Sequence, residues 1–309
     1  MNTVKVLDFS DWSEWNGAAE GSGRSEKIWL ISPSGEIGLF KYPKYDPNTK
    51  ETTTEHISEH LASQIGLLIG VETARVDIGV YNGRIGSMSY LARKPYEYLA
   101  EGIAFISGDY PSYNVNEMRD EDTGKYYSIE HIFVSTRGII EQEAWIEMML
   151  FDYLIGNADR HQSNWAVLVK LVDAKRREFD VRRCPLYDNG SSLCSYVTEE
   201  KLKLYLGNDL APMRALVDSK SKSIIRIDGN NKKKPRHLEV AFFLLVKYSS
   251  ARRIAKRIIE RLDDNTIQTL MSVYSENLLS VGKRELIKEY LIIKVKMLKA
   301  LLEGIDNNE

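Results

Sequence analysis

Short apolar and β-branched runs bounded by turn formers recur through the first ninety positions, at residues 4–9, 27–32, 36–42, 74–80 and 84–91. Runs of this length and composition read as strands. Pro33-Ser34-Gly35 stands between the second and third runs and Asn82-Gly83 between the fourth and fifth. Residues that tolerate positive φ favour tight hairpins there, so the pattern predicts an antiparallel sheet. Between the third and fourth runs, Ile57, Leu61, Ile65 and Leu68 fall at spacings of three and four and Gly70 follows. That spacing predicts one helix over residues 55–69 with a glycine stop.

From about Pro95 the pattern changes. Residues 144–155 are apolar nearly all round, as a buried helix would be, and Leu286, Tyr290, Ile293, Met297 and Leu301 mark one face of a final helix. Residues 165–171 and 178–186 read as a hairpin around the polar turn 173–177. The expected division is therefore a strand-rich domain over 1–94 and a mainly helical one over 95–309. The basic connection 220–236 reads as a mobile loop, and no internal repeat or low-complexity tract interrupts either part.

Composition narrows the partners. A chain of 309 residues with 43% apolar content can bury a sizeable core. Its 42 Lys and Arg against 44 Asp and Glu leave a formal charge of −2, so no general basic field exists, and neither nucleic acid nor a membrane surface is an expected partner. Residues 1–17 hold no apolar core of signal-peptide length, and the longest apolar run, 240–246, is far too short to span a bilayer. A cytoplasmic location is expected, with secretion as an effector left open. Cys184 and Cys194 lack CxxC spacing and clustered histidines. They read as buried thiols and not as a zinc site or a disulfide framework.

The candidate chemistry sits on both sides of the predicted hairpin. Gly156-Asn157-Ala158-Asp159-Arg160-His161-Gln162-Ser163-Asn164 leaves a buried helix and enters a strand, so it is a polar loop held at both ends. Phosphoryl transfer needs a carboxylate for the acceptor hydroxyl and oxygen ligands for magnesium. Asp159 suits the first role and Asn164 the second, and their spacing of five matches the kinase catalytic loop HRDxxxxN. After the hairpin, Leu186-Tyr187-Asp188-Asn189-Gly190 delivers a carboxylate to a glycine turn, as the kinase Asp-Phe-Gly does, which makes Asp188 a second metal-ligand candidate. Asp-Asn-Gly alone is usually a plain turn. The two motifs in this order, around one hairpin, are far more specific.

An ATP kinase also needs a strand lysine at the phosphates, held by a helix carboxylate. Lys41 ends the run 38–41, and Glu55 and Glu59 lie one turn apart on the following helix; spacing does not choose between them. Gly17, Gly21, Ser22 and Gly23 form a segment whose backbone N–H groups suit phosphates. It does not match GxGxxG and equally suits a surface loop. His161 is a candidate for a phosphate contact or a structural hydrogen bond, and Arg160 for a phosphate contact or a loop-holding salt bridge. The basic positions Arg252, Arg253, Lys256, Arg257 and Arg261 alternate with Ile254, Ile258 and Leu262, and like Lys232-Lys233-Lys234 they read as solvated surface. Tyr96, Tyr98, Phe105, Tyr110 and Tyr113 read as core or rim packing, with a substrate-cleft lining as the alternative.

These residues, from Gly156 to Trp165 and from Tyr187 to Ser191, resemble the HipA-like serine/threonine kinases, with the shorter CtkA-like members most similar; Phe40-Lys41-Tyr42-Pro43 and Ser58-Glu59-His60-Leu61-Ala62 extend the resemblance. It implies an α+β, bilobed protein-kinase-like fold, with a small antiparallel-sheet N-lobe containing one helix and a larger, mainly helical C-lobe. It also implies ATP and Mg2+ as cofactors, Lys41 at the phosphates with Glu59 as its partner, Asp159 as the catalytic aspartate, Asn164 and Asp188 on the metal, and adenine near residues 90–94. The implied substrate is a protein with a serine or threonine acceptor, the chain's own Ser22 or Ser25 included. Longer HipA toxins carry an additional N-terminal subdomain that helps them assemble with an antitoxin. The chain begins almost at the glycine segment, so that subdomain is expected to be absent and an antitoxin partner is left open. Asn189 stands where ordinary kinases have phenylalanine, so their phenylalanine-flip regulation is not expected. Two other functions remain: a small-molecule or phosphoinositide kinase, and a catalytically silent nucleotide-binding or toxin–antitoxin interaction module. Retention of Lys41, Asp159, Asn164 and Asp188 argues against the silent module.

Overall fold

The computed structural model describes residues 3–17, 26–94, 96–176 and 178–307. They form two compact units, each assembled from separate stretches of chain: Met1–Ala92, Tyr187–Ala215 and Glu260–Val295 in the first, Arg93–Leu186, Leu216–Ile259 and Lys296–Glu309 in the second.

The first unit is built on β1 (Val6–Asp8), β2 (Ser13–Glu14), β3 (Lys27–Ile31) and β4 (Ile37–Lys41), the small pair β5 (Tyr45–Asp46) and β6 (Glu51–Thr52), helix α1 (Glu55–Ile69), and β7 (Val76–Tyr81) with β8 (Arg84–Tyr90). Six strands pair in the order β1-β7-β8-β4-β3-β2. Every pairing from β7 to β2 is antiparallel, as the turns predict, but β1 runs parallel to β7. The sheet is therefore mixed. A parallel neighbour requires a long crossover, and the chain between β1 and β7 supplies it. Phe9 continues the pairing with its N–H on the Val80 carbonyl, and its ring occupies the space a side chain at Gly79 would need. Phe9, Leu30, Phe40, Tyr42, Tyr81, Met88 and Tyr90 form the core on this sheet.

Helix α1 buries Ile57, Leu61 and Ile65, with Ile69 and not Leu68 completing the stripe. Gly70 then takes φ +73°, and its N–H caps the Gly66 carbonyl. A left-handed residue ends a helix in this way at little cost when it is glycine.

The second unit contains β9 (Glu97–Glu101), α2 (Gly102–Asp109), the hairpin β10 (Tyr113–Asn114) and β11 (Arg119–Asp120), α3 (Ile129–Ser135), α4 (Gln142–Ile155), β12 (Ala166–Asp173) and β13 (Glu178–Arg183). The predicted hairpin is β12–β13, and β9 adds a third strand to it. Helix α4 is buried from Met148 to Ile155 without a break, which explains its all-round apolar sequence. Trp145 and Trp165 meet edge to face at 4.7 Å, and the Trp165 indole donates to the Tyr127 hydroxyl at 2.7 Å.

Helices complete the chain: α5 (Leu202–Tyr205), α6 (Ala211–Val217), α7 (His237–Lys247), α8 (Ser249–Arg261), α9 (Asp264–Ser272) and α10 (Val281–Asp306). The basic face of α8 is an ion-paired surface over buried Ile254 and Ile258, with Arg253 on Glu143 at 2.9 Å and Lys256 on Asp306 at 3.6 Å. In α10 the buried stripe is Leu286, Tyr290, Leu291, Leu298 and Leu302, so Ile293, Met297 and Leu301 lie on its half-buried edge. The run Leu291-Ile292-Ile293 offers more than one apolar face, and packing chooses among them.

The segment 220–236 is anchored, contrary to the mobile loop its composition predicts. Ile224, Ile225 and Arg226 are buried, Arg226 and Ser128 form a parallel bridge, and the Ser223 N–H bonds the Pro235 carbonyl. Short apolar residues inside a basic stretch suffice for this. Of the aromatics at 96–113, Tyr96 and Tyr98 are exposed, whereas Tyr113 is buried and Phe105 stacks on Trp165. Cys184 is buried and Cys194 half-buried. Among the described residues no helix is long and apolar enough to cross a membrane.

Candidate active site

In the first unit, β4 ends in Lys41, whose ammonium lies 2.7 Å from Asp188 Oδ1 and 3.2 Å from Glu59 Oε1. Burial alone would lower the Lys41 pKa; the two carboxylates more than offset it, and the net shift is upward. Glu59 is nearly fully buried, and its second oxygen accepts the Asn189 N–H at 2.9 Å. One carboxylate thus ties the strand lysine to the turn that carries Asp188. That turn is further held by Ser192, which donates to the Asn189 carbonyl at 2.6 Å, and by Ser58 of α1, which donates to the Ser192 carbonyl at 3.1 Å. Asp188 itself has φ +56°, a left-handed conformation that costs an L residue roughly 1–2 kcal/mol and that aspartate tolerates better than most.

Glu55, one turn earlier, points to different partners. It accepts from the Tyr196 hydroxyl at 2.6 Å and from Thr53 Oγ1 at 2.7 Å, and pairs with Lys44 at 3.2 Å. The ambiguity between Glu55 and Glu59 is resolved for Glu59. Gly17 lies in a turn against the Trp15 indole. Gly21, Ser22, Gly23 and Ser25 lie outside the described residues.

In the second unit, α4 stops at Gly156, with φ +69° and its N–H on the Asp152 carbonyl. The loop beyond is organised around one buried ion pair. Arg160 donates from Nε to Asp152 Oδ2 at 3.0 Å and from its terminal nitrogens to Asp152 Oδ1 at 2.8 Å and the Asn164 carbonyl at 2.8 Å. The salt-bridge alternative for Arg160 is the one realised. Burial raises the Asp152 pKa and Arg160 opposes that rise only in part. The Asn157 side-chain carbonyl accepts the Asp159 N–H at 3.0 Å, and the Asn164 amide donates to the Asp159 carbonyl at 2.7 Å. His161 Nδ1 accepts the Ser163 N–H at 3.2 Å.

A further support was missed by sequence reasoning. His237, at the start of α7 and buried, places Nε2 3.0 Å from the Asn157 carbonyl and Nδ1 3.0 Å from Ser221 Oγ. Asp152 was missed too, although an acidic residue interrupting the apolar run 148–155, four positions before Gly156, is a readable anomaly.

No protein-family profile matches the chain. The serine/threonine-protein kinase CtkA of Helicobacter pylori is 24% identical over 257 residues, which is 81% of this chain and 74% of that protein. The crystal structure of an H. pylori proinflammatory kinase CtkA aligns with a TM-score of 0.78 at 18% identity, covering 97% of this chain and 100% of that one. The chain is thus similar in sequence to CtkA and shares its fold. HipA of Shewanella oneidensis MR-1, in its complex with HipB and operator DNA, shares the fold at a TM-score of 0.55 and 14% identity, covering 96% of this chain and 70% of that one. The α+β architecture is thus that of the HipA-like kinase fold.

Proposed function

We propose that this chain is a HipA-like kinase that transfers the γ-phosphoryl group of ATP, with magnesium, to a serine or threonine hydroxyl of a protein. The observation that carries the reading is the Lys41–Glu59–Asp188 cluster, in which a strand lysine, a buried helix carboxylate and a hairpin-borne aspartate meet at 2.7 and 3.2 Å.

Lys41 takes the phosphates. Its raised pKa keeps it cationic at neutral pH, and Glu59 holds it in place. Asp159 orients the acceptor hydroxyl and accepts its proton. Asn164 and Asp188 are the proposed metal ligands, and the donor set fits. Asn164 uses its NH2 on the Asp159 carbonyl, so its Oδ1 is the amide atom left to a hard cation, and Asp188 offers a carboxylate. Bound magnesium supplies charge that neutralises the phosphates. The Asp152–Arg160 pair holds the loop from Asn157 to Asn164 in place.

Incubation with γ-labelled ATP and magnesium tests the reading. Label on protein serine or threonine is the expected result, and label appearing only on a lipid or small metabolite would reject it. Autophosphorylation at Ser22 or Ser25 is part of the proposal, and intact-mass and peptide analysis finding neither serine modified would remove that part.

A further inference from the structure

The second unit carries a cavity of about 710 Å3 between residues 226–235 and one side of α7. Its apolar wall is Ile227, Phe242, Phe243 and Val246, and Phe242 and Val246, one turn apart, are 50% and 51% exposed. On the far side of that ridge a cavity of about 410 Å3 is lined by Phe242, Val246, Leu301 and Ile305. Two grooves sharing one exposed apolar ridge exceed what a single small ligand fills. Exposed apolar surface rimmed by charge marks protein association.

The charge at the first groove is unbalanced. Arg226, Lys233, Lys234 and Lys247 line it together with Asp228 and Glu239. Glu239 is already paired with Arg236 at 3.2 Å, and Asp228 accepts from the Asn230 amide at 2.9 Å. Arg226 is only 7% exposed; its terminal nitrogens donate to the backbone carbonyls of Ile224 at 3.1 Å and Lys232 at 3.2 Å, and its guanidinium lies 5.1 Å from the centre of the Tyr126 ring. Among the described residues its Nε has no hydrogen-bond partner and no carboxylate pairs with it. Buried arginines ordinarily have a counter-ion. Burial draws the Arg226 pKa below the usual guanidinium range, against a smaller opposing influence from Tyr113 and Tyr126.

The geometry points to a docking groove along α7 for an acidic, apolar peptide segment of a partner protein. Its apolar side chains lie against the Phe242–Val246 ridge, and a carboxylate answers Arg226 and the lysines. A bilayer would cover the Phe242–Val246 ridge but leave the grooves on either side of it unfilled. A nucleic acid would take the lysines but has no use for a Val246, Leu301 and Ile305 wall. This assignment stands apart from the phosphotransfer reading, because its test reads binding directly.

The test is fluorescence anisotropy of a labelled octapeptide, alternating leucine with glutamate, against the full-length chain. Saturable binding that weakens with added salt is expected. Affinity should fall at least roughly fivefold in K233E/K234E, which alters two exposed positions, and by a similar factor in Phe242→Ala. Arg226→Gln should remove binding; should that variant not fold, K233E/K234E decides the question. Absence of binding, equal binding of the leucine–glutamine peptide, unchanged affinity in K233E/K234E, or tighter binding of phosphatidylserine vesicles or single-stranded RNA would each overturn the assignment.

Discussion

Arg160 grips both carboxylate oxygens of Asp152, at 2.8 and 3.0 Å, with each side chain almost wholly buried. The same guanidinium holds the Asn164 carbonyl, so one ion pair spans the loop from the last turn of α4 to the start of β12.

Removing one partner strands the other charge. Asp152→Asn should lower stability by about 3–5 kcal/mol, the usual cost of breaking a buried pair, read as a fall in the denaturation midpoint. Phosphotransfer should fall with it under conditions where the variant remains folded. A midpoint within experimental error of wild type would show that the pair does not organise the loop.

Asp159 and Asp188 should separate by what they lose. Asp159→Ala should abolish transfer while ATP binding largely survives, because the carboxylate serves the acceptor. Asp188→Ala should weaken magnesium-ATP binding itself, and chelation of magnesium should stop transfer in the wild type. Calorimetric titration of both variants with magnesium-ATP, beside an activity assay, checks the pair. Wild-type activity in Asp159→Ala would reject its role.

Glu59 and Glu55 make a matched comparison on one helix. Glu59→Gln weakens the hold on Lys41 and should lower kcat/KM by roughly tenfold or more, equivalent to about 1.4 kcal/mol. Glu55→Gln disturbs only Lys44, Thr53 and Tyr196, and should leave kcat/KM within about threefold of wild type. The reverse order in steady-state kinetics would reassign the lysine's partner.

Acid should destabilise the first unit through His56. Burial, opposed weakly by Glu55, lowers its pKa from 6.5 to about 4, and its Nδ1 has no hydrogen-bond partner among the described residues. Between those values the unfolded chain binds the proton and the folded chain does not, so stability is complete above 6.5 and is lost as pH falls toward 4 and below. The shift corresponds to about 3 kcal/mol. Denaturant titrations across that range should show the slope, and His56→Gln should flatten it. An identical slope in the variant would remove His56 as the cause.

Much of this site was legible in the chain. Strand and helix periods mark β3, β4, β7, β8, α1 and α4, because backbone geometry sets those repeats within a few residues of sequence. The aspartate-to-asparagine spacing and the Asp188 turn were readable for the same reason: each motif is local. Lys41 was readable as a type, a lysine ending a strand before a helix with two glutamates.

Which glutamate it meets was decided only by the fold, since Glu55 and Glu59 share a helix face and differ in what the chain near residues 189–196 brings to each. The parallel placement of β1 beside β7, the anchoring of residues 220–236, and the return of residues 187–215 and 260–295 to the first unit have the same origin. So does His237 beneath the Asn157 carbonyl, eighty positions away in the chain. Local periodicity follows from backbone geometry and can be read along the sequence. The choice of partner depends on groups far apart in the chain that meet only when the core packs, and the sequence carries no spacing that encodes it.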